Sequence, residues 1–289
     1  MTHLSRRAFI ERSALLASAL PCAWPVPARR WVALHAGPAL RIGVVNAPTV
    51  PNDPRGMGIT LGAEEAEHAA ALFGGSLTLA PLHGNEPLAG LSAIVGDLDC
   101  ATTRRIGGRA DAAGIPFFNV ACSDDALRGA SCRRTMFHVA PSEAMCRDAI
   151  AKAPAASTAT VTAWLPSLHR FGADTLNRRF LARFGTPMSA DSWTAWLAMK
   201  ILWESALRAA SADPAKLIAF LGRDSTQFDG HKGLPLSFRA WDRQLRQPLY
   251  VVDGAKMTEL PAANPNDSAR VLLDQYGTLS ASSACHAAP

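Results

Sequence analysis

Blocks of apolar and polar positions follow one another along this chain in a way that sets out strands and helices by turns. Leu40-Arg41-Ile42-Gly43-Val44-Val45-Asn46 is a short apolar run, the mark of a strand buried in a parallel sheet. A Pro/Gly loop follows, then a helix predicted over about 60–73, stopped by Gly74-Gly75. Further strands are predicted at 76–82, 91–95, 115–120 and 136–139, with a helix over about 102–113 and another starting near Pro141-Ser142. Strand and helix alternating at this spacing predict a doubly wound α/β domain with right-handed crossovers.

After 151–158, an Ala/Pro-rich stretch read as a linker, the pattern changes. A short strand (160–164) leads to helices near 172–184, 190–210 and 214–221. Trp196, Met199, Trp203 and Leu207 share one face of the second of these, a stripe that reads as core. In "FDGHKGLPLSFRAWDRQLRQPLYVV", Phe228 to Val252, a Gly-marked entry leads to a hairpin. Its first strand alternates Leu234, Leu236 and Phe238 with Pro235, Ser237 and Arg239, so one face is expected buried and the other wet. Residues 256–289 read as a partly ordered tail.

Composition adds little to this picture: 48% hydrophobic and 18% charged residues are ordinary for a globular chain of one large or two small domains. The net charge of +5 has no Lys/Arg run behind it and carries no nucleic-acid signal. The N-terminus is more informative. Ser5-Arg6-Arg7-Ala8-Phe9-Ile10, an apolar run at 14–20 and Val26-Pro27-Ala28 together form a twin-arginine export signal over residues 1–28. Periplasmic export permits disulfides. Five cysteines remain beyond Cys22, an odd number that leaves a thiol over, and Cys122 with Cys132 is the first pairing to consider.

Catalytic chemistry finds no support. No GxSxG, HExxH, P-loop or GxGxxG occurs in a strand–turn–helix setting, so no catalytic residue, cofactor or metal ligand is assigned. Glu64 and His68 have i,i+4 ligand spacing, but a solvated helix face accounts for them. His138, in an apolar strand, reads as a hydrogen-bonded core histidine.

The segments "RIGVVNAPT…RGMGITLGAEEAEHAA", "LSAIVGDLDCATTRR", "AGIPFFNVACSDDALRGASCRRTMFHVAPSEAM" and the closing hairpin resemble the periplasmic substrate-binding proteins of the branched-chain amino acid type. Within that family they are similar to the branch associated with PQQ-dependent (quinoprotein) alcohol dehydrogenase systems of methylotrophy. The resemblance implies the periplasmic-binding-protein type 1 fold: a complete doubly wound parallel-sheet lobe over 39–150 and, after the 151–158 linker, a truncated second lobe over 159–255. The first β-α-β units of the usual second lobe have no counterpart here. It also implies a solute-binding component of an ABC transport system and no enzyme. Its partners would be a small polar ligand, either amino acid-like or related to alcohol oxidation, and an ABC permease. The family's ligand loops correspond here to Asp97, Asp99, Cys100, Ala101 and Thr102 after the third strand, and to Ala121, Cys122, Ser123 and Asp124 after the fourth. Both lie where open α/β sheets bind ligands. The shortened second lobe keeps open an accessory role on a quinoprotein dehydrogenase, capture of Ca²⁺ or a lanthanide by the acidic loops, and a homodimer covering an exposed apolar face.

Overall fold

The computed structural model describes residues 37–45, 53–154, 158–262 and 266–285. The export signal lies outside them. The first half builds a five-stranded, all-parallel sheet from β1 (Ala39–Val45), β2 (Ser76–Leu82), β3 (Ala93–Gly96), β4 (Phe117–Asn119) and β5 (Met136–His138), in the order β2-β1-β3-β4-β5. Period-two alternation divides its side chains between two cores. Leu40, Ile42, Val44, Val95, Phe118 and Phe137 face one side; Val45, Ile94, Phe117 and Met136 face the other. The expected α/β class is therefore present, with helices on both faces.

Two helices begin earlier than their apolar periodicity indicates. α1 spans Pro54–Leu72, because Asp53 accepts from Gly56 N at 2.6 Å and Pro54 presets the first helical φ. α2 spans Cys100–Ala112, capped by Asp99. α2 covers the second core through Ile106 and Ala110. The other face is covered by α1 and, from much later in the chain, by α5 (Ala190–Arg208). These two helices cross closely because α1 presents glycines. A Cβ on Gly58 would stand 2.1 Å from Ser192 O, and one on Gly62 would stand 2.6 Å from Met199 Cβ. The Trp196, Met199 and Trp203 stripe is buried, as the spacing predicts.

A second sheet has three strands, β6 (Thr160–Thr162), β9 (Leu249–Asp253) and β10 (Lys256–Leu260), in antiparallel order β10-β9-β6. α3 (Glu143–Lys152) lies on it, and Met145, Ala149, Leu249, Val251 and Leu260 share its core. α4 (Ala173–Phe184) and α6 (Pro214–Leu221) complete the helices before the hairpin.

The hairpin departs from its pattern. Its paired part is two residues a side, β7 (Ser237–Phe238) with β8 (Leu245–Arg246), and the face expected wet is partly covered: Pro235 is exposed, but Ser237 and Arg239 are buried. The reason lies downstream. The stretch read as a loose tail carries β10 and α7 (Ala269–Leu273), and Asp274 just beyond receives both Arg239 Nε (3.2 Å) and Arg246 Nε (2.7 Å). The tail is also fastened covalently. Cys285 is bonded to Cys132, and Cys122 is bonded to Cys100, so the expected Cys122–Cys132 pair does not form. Cys122 follows β4 and Cys100 follows β3. Those strands are neighbours, which sets the two thiols side by side while Cys132 lies further along the β4–β5 connection. Cys146 is the thiol left over among the described residues.

Candidate functional site

Both ligand loops expected from the sequence leave the C-terminal tips of adjacent parallel strands, and the Cys100–Cys122 disulfide ties them together with a Cα separation of 5.1 Å. Cys100, Ala101, Thr102, Ala121, Cys122, Ser123 and Asp124 are thus assembled in one place. Asp97 and Asp99 flank them on the β3 side.

Most polar groups of this rim already have internal partners. Asp99 Oδ1 accepts from Ala101 N (2.9 Å) and Thr102 N (3.0 Å), and its Oδ2 accepts from Thr102 Oγ1 (2.6 Å). The Thr102 hydroxyl and these backbone bonds lower the Asp99 pKa. The N–H groups at the start of α2, which favour an anion, are therefore met by the chain's own carboxylate. Asp124 accepts from Ala126 N at 2.8 Å and pairs with Arg104 at 3.1 Å. Ser123 O accepts from Glu143 N at 2.9 Å, at the start of α3.

Two residues that the sequence did not single out hold the second loop. Asn119, at the end of β4, accepts through Oδ1 from Ala121 N (3.2 Å) and Cys122 N (2.9 Å) and donates through Nδ2 to Cys122 O (2.7 Å). An Asn ending a strand is the available signal for such a turn. Arg128 is 1% exposed and donates to Cys122 O and Asp124 O at 3.0 Å each, to Ala140 O at 2.9 Å and to Gln244 Oε1 at 2.9 Å. Burial lowers its pKa to about 10, opposed by Asp242, Asp125 and Asp124, and the guanidinium stays charged at neutral pH. No local pattern marks it, because its acceptors come from three separate segments.

Arg55, on the first turn of α1, is the other addition. It lies 3.3 Å from Asp97 and 2.7 Å from Asp191, linking the β3 tip to the start of α5. Its Nε is buried without a hydrogen-bond partner. Desolvation raises the Asp97 pKa against the pull of Arg55, with Asp53 and Asp191 adding to the rise. A cavity of about 450 Å³ opens beside this cluster, lined by Pro54 and Met57 of α1 and by Ser189 and Ser192 at the head of α5.

A buried lysine links segments of both sheets. Lys232 Nζ donates to Gln247 Oε1 (3.0 Å) and Pro248 O (2.9 Å) and lies 3.8 Å from the Trp193 ring centroid. Gln247 Nε2 in turn donates to Val139 O at 2.7 Å, just past β5. Burial holds the Lys232 pKa well below its ordinary value. Among the described residues, no three His, Cys, Asp or Glu side chains gather as a metal site.

No protein-family model matches the chain, and no curated protein matches it. Solved structures share its fold. A periplasmic binding protein from Burkholderia mallei superposes with a TM-score of 0.67 at 12% identity, over 86% of this chain and 98% of that one. A leucine-binding protein from Thermotoga maritima gives 0.60 at 12% identity, over 79% and 99%. An ABC-transporter solute-binding protein from R. palustris, in complex with benzoate, gives 0.63 at 13% identity, over 86% and 99%. At these identities the likeness establishes the fold, the periplasmic-binding-protein type 1 architecture.

Proposed function

We propose that this protein is the periplasmic solute-binding component of an ABC transport system and that it binds a small polar molecule at the strand tips of its first lobe. The observation that carries this reading is the convergence of two loops, bonded Cys100 to Cys122, beside the Arg55–Asp97–Asp191 cluster with its unpartnered Nε and adjoining cavity. Charges of both signs on this rim suit a ligand that itself carries both, such as an amino acid. In this reading, residues 39–150 supply the first lobe, and 159–255, beyond the 151–158 linker, supply a reduced companion. Part of that companion, α5, is given over to covering the first lobe's sheet. The disulfides favour an oxidising compartment, in keeping with a twin-arginine leader.

A second reading, an accessory protein of a quinoprotein dehydrogenase, is favoured by one specific fact: Asp99 occupies the N–H groups that a ligand carboxylate would otherwise take. Calorimetry of the purified protein against amino acids, alcohol-oxidation products, PQQ, Ca²⁺ and La³⁺ separates the two. Binding of one small-molecule class, lost in Arg55→Gln, supports transport. Heat from none of them, together with capture of a dehydrogenase subunit, overturns it.

A further inference from the structure

The end of the parallel sheet opposite the strand tips holds a second concavity with a composition of its own. It measures about 460 Å³ and lies between α6 and the segments entering β4 and β5. Ile218 and Ala219 of α6 give it an apolar wall, and Thr135 forms part of the inner surface. Three of its nine lining residues are arginines, Arg134, Arg223 and Arg243, and none is Asp or Glu.

The arginines are placed differently. Arg134 and Arg223 are exposed at the rim, and among the described residues neither takes part in an ion pair within 4.0 Å. Arg243 is 3% exposed and donates through Nε to Arg134 O at 3.3 Å. Burial lowers its pKa, and the nearby Arg134 charge lowers it further, against the attraction of Asp242. Asp242 also accepts from Gln244 N at 3.0 Å and lies 3.6 Å from Arg239 Nη1, and Asp111 Oδ1 accepts from Thr135 Oγ1 at 2.9 Å and Thr135 N at 3.3 Å. Asp224, next to Arg223, is paired with Arg270 at 3.0 Å. Three guanidinium groups therefore border one concavity with an apolar wall, and two of them, Arg134 and Arg223, are exposed at its rim.

The geometry points to a binding site for a small amphipathic anion, a molecule with a carboxylate or sulfate head and an apolar body of six to ten carbons or one aromatic ring. The head lies among Arg134, Arg223 and Arg243, where guanidinium N–H pairs meet an oxyanion bidentately. The body lies along Ile218 and Ala219. A volume of about 460 Å³ falls in the usual range for small-molecule sites. The site is separate from the strand-tip rim and does not depend on what binds there.

The test is calorimetric titration of the full chain with octanoate and, in parallel, with octan-1-ol, which keeps the body and lacks the charge. Octanoate should bind at least about tenfold more tightly than the alcohol, which is the scale of one charge-assisted hydrogen bond. Its affinity should fall as salt is raised. The double variant Arg134→Gln/Arg223→Gln, two exposed positions that leave the core intact, should bind octanoate at least about tenfold more weakly. Its alcohol binding should not change. Arg55→Gln at the strand tips should leave octanoate binding as it is. Equal affinity for acid and alcohol overturns the assignment, as does an unaltered octanoate affinity in the double variant or no binding of octanoate at millimolar concentration.

Discussion

Acidification from pH 7 to pH 5 should weaken this fold through His138. The residue sits in β5 with 0% exposure. Its Nδ1 lies 3.0 Å from Asn119 Nδ2. Asn119 cannot turn its amide round, because its Oδ1 is held by the N–H groups of Ala121 and Cys122. The amide therefore donates, Nδ1 accepts, and the imidazole proton is on Nε2, which is buried and has at most a weak contact with the Leu127 backbone. Burial, and secondarily the Arg128 charge, hold the imidazole pKa well below its ordinary 6.5. The unfolded chain takes up a proton below pH 6.5 and the folded chain does not, so stability falls as pH drops through that value. For one such histidine the difference is nearly nothing at pH 7 and at most roughly 2 kcal/mol at pH 5. Carboxyls such as Asp97, Asp99 and Asp242 titrate as well, so the measurement is a comparison. Urea unfolding of the native chain and of His138→Gln, at pH 7, 6 and 5, isolates the imidazole, because glutamine can accept from Asn119 and does not titrate. The native chain should lose more than the variant over this interval, by up to roughly 2 kcal/mol. Parallel losses in the two proteins would refute the reasoning, since His138 would then titrate alike folded and unfolded.

Other expectations follow from the same structure. In the chain-entropy picture, removing Cys132–Cys285, with its separation of 153 residues, should cost about 5 kcal/mol, and removing Cys100–Cys122, with 22, about 3. Guanidinium unfolding of the two double-serine variants gives the order, and a reversed order would contradict it. Gly58→Ala should destabilise by about 1–3 kcal/mol by pushing α1 off α5, whereas Gly108→Ala, whose new methyl meets nothing within 4 Å, should stabilise α2 by about 0.4–1 kcal/mol. Thermal melts of the pair check both signs. Asp99→Ala should lower the melting temperature by removing the α2 cap, and Asp99→Asn should retain most of the native value in the same melts.

Local chemistry alone determined a good deal of this protein. Apolar runs placed the five parallel strands, Gly74-Gly75 marked where the first helix gives way, and the α5 stripe was legible as core. These signals act over a few residues, so they survive without knowledge of the fold. The loops later found at the strand tips were legible too, though only as positions. What their groups do was decided by tertiary structure. Asp99 could equally have faced a ligand, and only the start of α2 at Cys100 shows it capping its own helix. Cys122 meets Cys100 because β3 and β4 are sheet neighbours, a fact that sequence spacing does not contain. Arg239, on the hairpin face that alternation marked as wet, is buried because Asp274 arrives 35 residues later and neutralises it. Periodicity reports how a segment can bury one side of itself, whereas the pairing of charges and thiols depends on which distant segments the completed sheet brings within reach.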